Sequence, residues 1–202
     1  MNLPLFLVAA AALVVTPGPD MLYVIARSTG QGQKSGIVSA FGVSAGILIH
    51  IFTAAIGLSS LLMTSAIAYN AVKYVGAAYL IYLGILTLTE KSRKSTLKNT
   101  LKANLKTTFF QGFLSNVLNP KVALFFLAFL PQFINSDRGN ISLQIVTLGA
   151  IFILMSTLWL ILTALIASTA STWLQRRSQF QRWLTGSIFI GLGARLAIPE
   201  AR

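Results

Sequence analysis

Residues 14–24 read VVTPGPDMLYV, and they interrupt an apolar run that otherwise extends from Leu3 to Ala26. Pro17 and Pro19 each lack the N–H that a helix requires, and each leaves a carbonyl one turn earlier without its donor. In water such a break is an ordinary turn. In hydrocarbon every freed carbonyl has to be satisfied by protein or by cavity water. The meaning of the stretch therefore depends on its solvent, which composition decides.

Of the 202 residues, 55% are hydrophobic and 10% charged, against about 25% charged in a soluble domain. Too few charges remain to cover a water-facing surface. A bilayer core about 30 Å thick is crossed by roughly 20 helical residues, and six apolar runs reach about that length: 3–26, 36–62, 70–88, 110–134, 142–171 and 180–198. The sequence thus predicts an all-α integral membrane protein of six transmembrane helices. It forms one transmembrane domain over 1–202, with no soluble domain to hold an enzyme.

The net charge of +12 does not indicate nucleic acid, because the basic residues lie between apolar runs and not on one folded face. Eleven follow the odd-numbered spans: Arg27, Lys34, Lys91, Arg93, Lys94, Lys98, Lys102, Lys106, Arg176, Arg177 and Arg182. Arg138, Arg202 and, at an edge, Lys73 fall on the other side. The positive-inside rule then predicts that the eleven face the cytoplasm and that both termini lie on the outer side. The first span is expected to be retained, since Met1-Asn2-Leu3-Pro4 lacks the basic start of a signal peptide. With no cysteine, neither disulfides nor cysteine-ligated metals are available.

Three spans, a basic connector and three further spans suggest duplication: repeat one at about 1–90, the connector at 90–108 and repeat two at 109–202. Repeats of three spans insert with opposite topology, and inverted repeats with broken helices build midplane sites in many transporters. GAAYLIYLGILTL from Gly76 resembles GSIFIGLGARLAI from Gly186, and the break at Pro17 and Pro19 in helix 1 has a counterpart at Pro120 in helix 4. In the connector, Lys94, Lys98, Lys102 and Lys106 recur beside Leu97, Leu101 and Leu105. That pattern suits either a helix over 91–106 lying on anionic lipid or a solvated linker.

Ionisable groups inside spans mark candidate sites by default. Asp20 lies six residues before Ala26, where the apolar run ends, about 9 Å inside the cytoplasmic end if the span stops there. Span four brings Asn116, Asn119, Pro120 and Lys121, with Lys121 near the bilayer centre. Together with Pro17, Gly18 and Pro19 these residues form a candidate substrate-binding set. The plainer alternatives are a packing kink in which Asp20 caps the following helix, and a structural Asp20–Lys121 pair. In span two, Gly42, Gly46 and His50 fall on one helical face, the glycines permitting close helix packing. His50 near the span midpoint is, with Asp20, a candidate for proton coupling. Gly42–Gly46 also fits a nucleophile-elbow pattern, but within an apolar helix and not on a strand-to-helix turn. TGQGQKSG lacks the contiguous Gly-Lys-Ser of a phosphate loop.

TPGPDMLYVIARSTGQGQKSG, GVSAGILIH, VKYVGAAYLIYLGILTL, FQGFLSNVLNPKVALFFLAFLPQF and GLGARLA together resemble the LysE/RhtB amino-acid exporter family over essentially the whole chain. The resemblance implies a secondary transporter of the bacterial inner membrane, both termini then periplasmic, that expels amino acids or close derivatives by proton antiport with alternating access. It points to Pro17, Gly18, Pro19, Asp20, Asn119, Pro120 and Lys121, and the motif wording is closer to the homoserine, threonine and neutral amino-acid branch. On this expectation an amino-acid substrate and protons are the partners, no cofactor is needed, and homo-oligomerisation is left open. The alternative is a small-ion or metal transporter or channel of the same superfamily. One histidine and four acids are few ligands for a divalent ion.

Overall fold

The computed structural model describes residues 3–58, 71, 74, 75, 77, 78, 81, 82, 85, 88, 89, 104–135 and 139–197. It is helical throughout its regular elements: α1 (Leu3–Val15), α2 (Pro19–Gln31), α3 (Gln33–Thr53), α4 (Leu105–Val117), α5 (Pro120–Leu124) and α6 (Ile141–Ala197). Every described residue between 71 and 89 is helical as well. Two wider turns extend the spans, a π-helical one at Ala54–Leu58 after α3 and another at Phe125–Phe129 after α5. A 3₁₀ turn, Leu130–Phe133, then closes span four.

Both proline-broken spans are bent. α1 and α2 meet at 49°, and α4 meets the segment Pro120–Phe133 at 47°. At the first break Gly18 precedes Pro19, the first residue of α2. At the second, the side chain of Asn119 accepts from the Lys121 N–H and Pro120 takes the first helical position, where its missing N–H has no partner to lose. Two unbroken segments, Gln33–Gly57 and Ile141–Ala167, are also apolar and long enough to cross, at about 37 and 40 Å by helical rise.

Spans one and four run antiparallel. The start of span one meets the end of span four in an aromatic cluster, where Phe6 lies 5.4 Å from Phe133 and Phe125 lies 4.9 Å from Phe152 of α6. The end of span one meets the start of span four through Tyr23, which donates to the carbonyl of Thr108 at 2.8 Å. α3 and α6 pack along both, joined by the 2.6 Å contact of Ser44 with Thr157. Outward faces carry exposed Val8, Phe41, Phe52, Leu114, Leu154 and Leu158. A surface so apolar is stable against lipid tails and not against water.

Two sequence boundaries are corrected. The first span does not end at Ala26: α2 continues to Gln31, and Arg27 is buried at 7% exposure instead of standing in a loop. Asp20 is therefore eleven residues from the helix end, about 16 Å deep rather than 9 Å. The turn to α3 is made at Gly32, whose φ of 89° lies in the left-handed region that glycine adopts without steric cost. Secondly, no loop separates 171 from 180; helical backbone runs continuously from Ile141 to Ala197. No glycine or proline occurs between Gly149 and Gly186, so nothing in the backbone interrupts the helix. The striped connector lies outside the described residues as far as 103. Its last lysine, Lys106, belongs to α4, which Asn104 caps by accepting from the Thr107 N–H at 2.8 Å.

Candidate functional site

The two breaks face each other across a small cavity. Thr16, Gly18, Asp20 and Met21 line it from span one, Asn116, Asn119, Lys121 and Val122 from span four, Ile47 from α3 and Phe152, Ser156 and Leu160 from α6. Its volume is about 40 Å³. Water occupies about 30 Å³ per molecule in the liquid, so a solute larger than one or two waters enters only if the helices separate.

Asp20 is the second residue of α2, yet α2 has no side-chain cap at its start. The carboxylate reaches span four instead. Oδ1 accepts from Ser115 Oγ at 3.1 Å, and Oδ2 accepts from Asn116 Nδ2 and Asn119 Nδ2, both at 2.8 Å. All three partners donate, which suits a carboxylate; of its roughly four acceptor positions one remains, on Oδ1. Bonds to a charged group contribute about 1.5–3 kcal/mol each, so the second turn of the break is fixed by the acid of the first.

Lys121 makes the converse connection. It is the second residue of α5, as Asp20 is of α2, and it reaches back to the end of α1. Its ammonium donates to the carbonyls of Leu13 at 2.9 Å and Thr16 at 3.0 Å. The Leu13 carbonyl is the one left without a helical donor by Pro17. The C-terminal end of a helix also carries partial negative charge, which favours a cation there. Asp20 and Lys121 thus share a cavity, and each bonds to the other's span in place of bonding to one another.

His50 stands behind this cavity. Its Nε2 lies 3.0 Å from the Asn116 carbonyl and its ring stacks on Phe126 at 6.2 Å. Asn116 therefore connects His50, through its backbone, to Asp20, through its amide. The α3 glycines make room for that arrangement: a Cβ on Gly46 would stand 2.7 Å from the Asn116 Cβ and 2.8 Å from the Phe113 carbonyl, and one on Gly42 would collide with the Phe109 carbonyl.

Sequence reasoning missed Ser115, and it put Arg27 outside the other end of span one. There Arg27 Nε donates to the Tyr23 hydroxyl at 3.1 Å, Nη2 donates to Gln111 Oε1, and the guanidinium lies 5.3 Å from the Tyr23 ring. Tyr23 and Arg27 stand four residues apart on one helical face, a spacing visible in the sequence; their partners Thr108 and Gln111 are not. Among the described residues no group of three or more His, Cys, Asp or Glu could hold a metal ion.

No solved structure matches the chain. The chain is 36% identical to the uncharacterized membrane protein YrhP of Bacillus subtilis, covering 94% of this chain and 95% of that one. It is 31% identical to the leucine efflux protein of Salmonella typhimurium, covering 100% and 97%. The family model for the LysE type translocator matches residues 11–200, and the chain, a multi-pass membrane protein, belongs to that family.

Proposed function

We propose that this protein exports a neutral amino acid across the bacterial inner membrane by proton antiport, its two broken spans alternately opening one midplane cavity to either side. The observation that carries this reading is the cavity between the breaks, which offers a zwitterion both kinds of partner. Asp20 and the carbonyls of Leu13 and Thr16 accept from an ammonium, while the N-terminal end of α2 at Gly18 favours a carboxylate. Leu13, Ile47, Val122, Phe152 and Leu160 suit an uncharged, largely apolar side chain, in accord with the leucine efflux named for the Salmonella relative.

The equivalent placement of Pro19-Asp20 and Pro120-Lys121 supports two inverted repeats within a single domain. Alternating access then amounts to parting the aromatic cluster at one end or the Tyr23–Arg27–Gln111 cluster at the other. On this reading the basic side is cytoplasmic, at the Arg27 end, and both termini are periplasmic.

Uptake of labelled leucine, threonine and homoserine into proteoliposomes preloaded with the unlabelled compound tests the proposal. An exporter working by exchange gives a transient overshoot for at least one neutral amino acid. Equilibration without overshoot, or flux of small cations alone, favours a channel instead.

A further inference from the structure

We infer that Lys121 carries the proton of the antiport, its ammonium competing with the substrate's own ammonium for the carbonyls of Leu13 and Thr16. This rests on the proton-coupled exporter reading above. Sequence alone puts Lys121 in the substrate-binding set and the proton on Asp20 or His50. The side-chain contacts distribute the roles differently.

The acceptor site is built by the helix break. Pro17 removes the donor of the Leu13 carbonyl, the helix ends before the Thr16 carbonyl is taken up, and Lys121 donates to both at 2.9 and 3.0 Å. Freed carbonyls at a half-helix C-terminus are where broken-helix transporters coordinate their coupling cation. Here the cation is a side chain. A lysine ammonium and an α-ammonium have the same charge and the same three donors, so one acceptor pair serves either, and not both at once.

The other candidates are engaged elsewhere. Asp20 faces three donors and acts as the fixed anion that balances whichever ammonium is present. His50 on α3 is held at the Asn116 carbonyl and does not line the cavity. The remaining groups facing Lys121, Thr16 of α1 and Ser156 of α6, do not titrate near neutral pH. Antiport requires that each ligand disfavour the other. When the substrate ammonium takes the carbonyls, one N–H bond of Lys121 breaks, its electron pair stays on Nζ, and the proton leaves to water on the open side. Reprotonation from the periplasm restores the bonds to Leu13 and Thr16 and expels the substrate.

The test is a proton count on binding. Purified protein in weakly buffered detergent solution receives leucine, or whichever neutral amino acid shows exchange, with a pH indicator present. Wild type is expected to release about one proton per molecule bound and to bind more tightly as pH rises. Lys121→Met should bind with an affinity independent of pH and release none. Lys121→Arg, a cation that does not deprotonate, should bind about tenfold or more weakly and also release none. Binding by wild type without proton release means that Lys121 stays charged, and overturns the inference alone. Release persisting in Lys121→Met, or in Lys121→Arg should the methionine variant fail to fold, overturns it too. Folded wild type that binds no amino acid overturns the exporter reading, and this inference with it.

Discussion

The ammonium of Lys121 donates to the carbonyl of Leu13 at 2.9 Å, the acceptor that Pro17 deprives of its helical donor. The break in one span is thereby completed by a residue just past the break in the other. The reverse also holds, since Asp20 is bound by Ser115, Asn116 and Asn119. Each span has a charged residue at the second position of its second half-helix, and each charge is satisfied at the end of the other's first half. Hydrogen bonds thus tie the two breaks to one another.

Replacing Pro17 and Pro19 together by alanine should give Leu13 a backbone donor and remove the reason for the 49° bend. Lys121 loses acceptors and the cavity loses a wall. Transport in proteoliposomes is expected to fall to background while incorporation and helix content stay as in wild type. Undiminished export would show that the break is a packing kink.

Gly46→Ala tests the support of Asp20 from behind. The new Cβ has to push Asn116 or the Phe113 carbonyl aside, an overpacking cost of about 1–3 kcal/mol, and Asn116 is a donor to Asp20. A lower thermal midpoint and transport reduced at least severalfold are expected. At Gly57 a Cβ would meet nothing within 4 Å, so Gly57→Ala should change neither. Equal behaviour of the two variants would contradict the packing account.

Tyr23→Phe removes the hydroxyl that joins Arg27 to the Thr108 carbonyl. Leaving the Arg27 Nε without its acceptor costs about 1–3 kcal/mol, and with the link to Thr108 gone it should favour opening at that end. The chain has no cysteine, so labelling of a single Ser156→Cys in the cavity reports access. A polar thiol reagent applied from the Arg27 side should label it several times faster in the Tyr23→Phe background. An unchanged rate would mean that this cluster does not gate the cavity.

Reporter fusions at residues 30, 98 and 178 should read cytoplasmic, and those at 66, 138 and the C-terminus periplasmic, following the basic residues. The fusion at 178 bears on the continuous helical backbone of α6. A cytoplasmic C-terminus would refute both the six-span topology and the inverted repeat.

The helical membrane fold was legible because apolar runs of bilayer length and two proline breaks are local signals. Gly18, Asp20, Asn116, Asn119 and Lys121, which line one cavity, stood out in the sequence too, since charges and helix breaks inside hydrocarbon have few structural uses. The partnerships were less legible. Opposite charges suggested that Asp20 and Lys121 pair directly, whereas each found stronger obligations at a helix end, namely freed carbonyls for the lysine and a row of amide and hydroxyl donors for the acid. Such donors are created by the backbone geometry of the breaks, which residue spacing does not specify. Arg27 was misjudged for a related reason. A charge after an apolar run normally marks the membrane edge, and only the approach of Gln111 and the Tyr23 hydroxyl makes its burial sustainable. Continuous helix through 171–180 shows that a run of basic residues does not by itself break a helix that lacks glycine and proline.

The central claim, that the cavity between the two breaks is where an amino acid is carried, is tested most directly by counterflow of labelled leucine, threonine or homoserine in proteoliposomes containing wild type or Asp20→Asn at equal folded content. Wild type should show a transient overshoot for at least one of the three. Asp20→Asn, whose amide cannot serve as the anion for an ammonium, should lose the overshoot, with initial rates lower by tenfold or more, about 1.4 kcal/mol or above. An overshoot that survives unchanged in Asp20→Asn would place the site elsewhere and contradict the account.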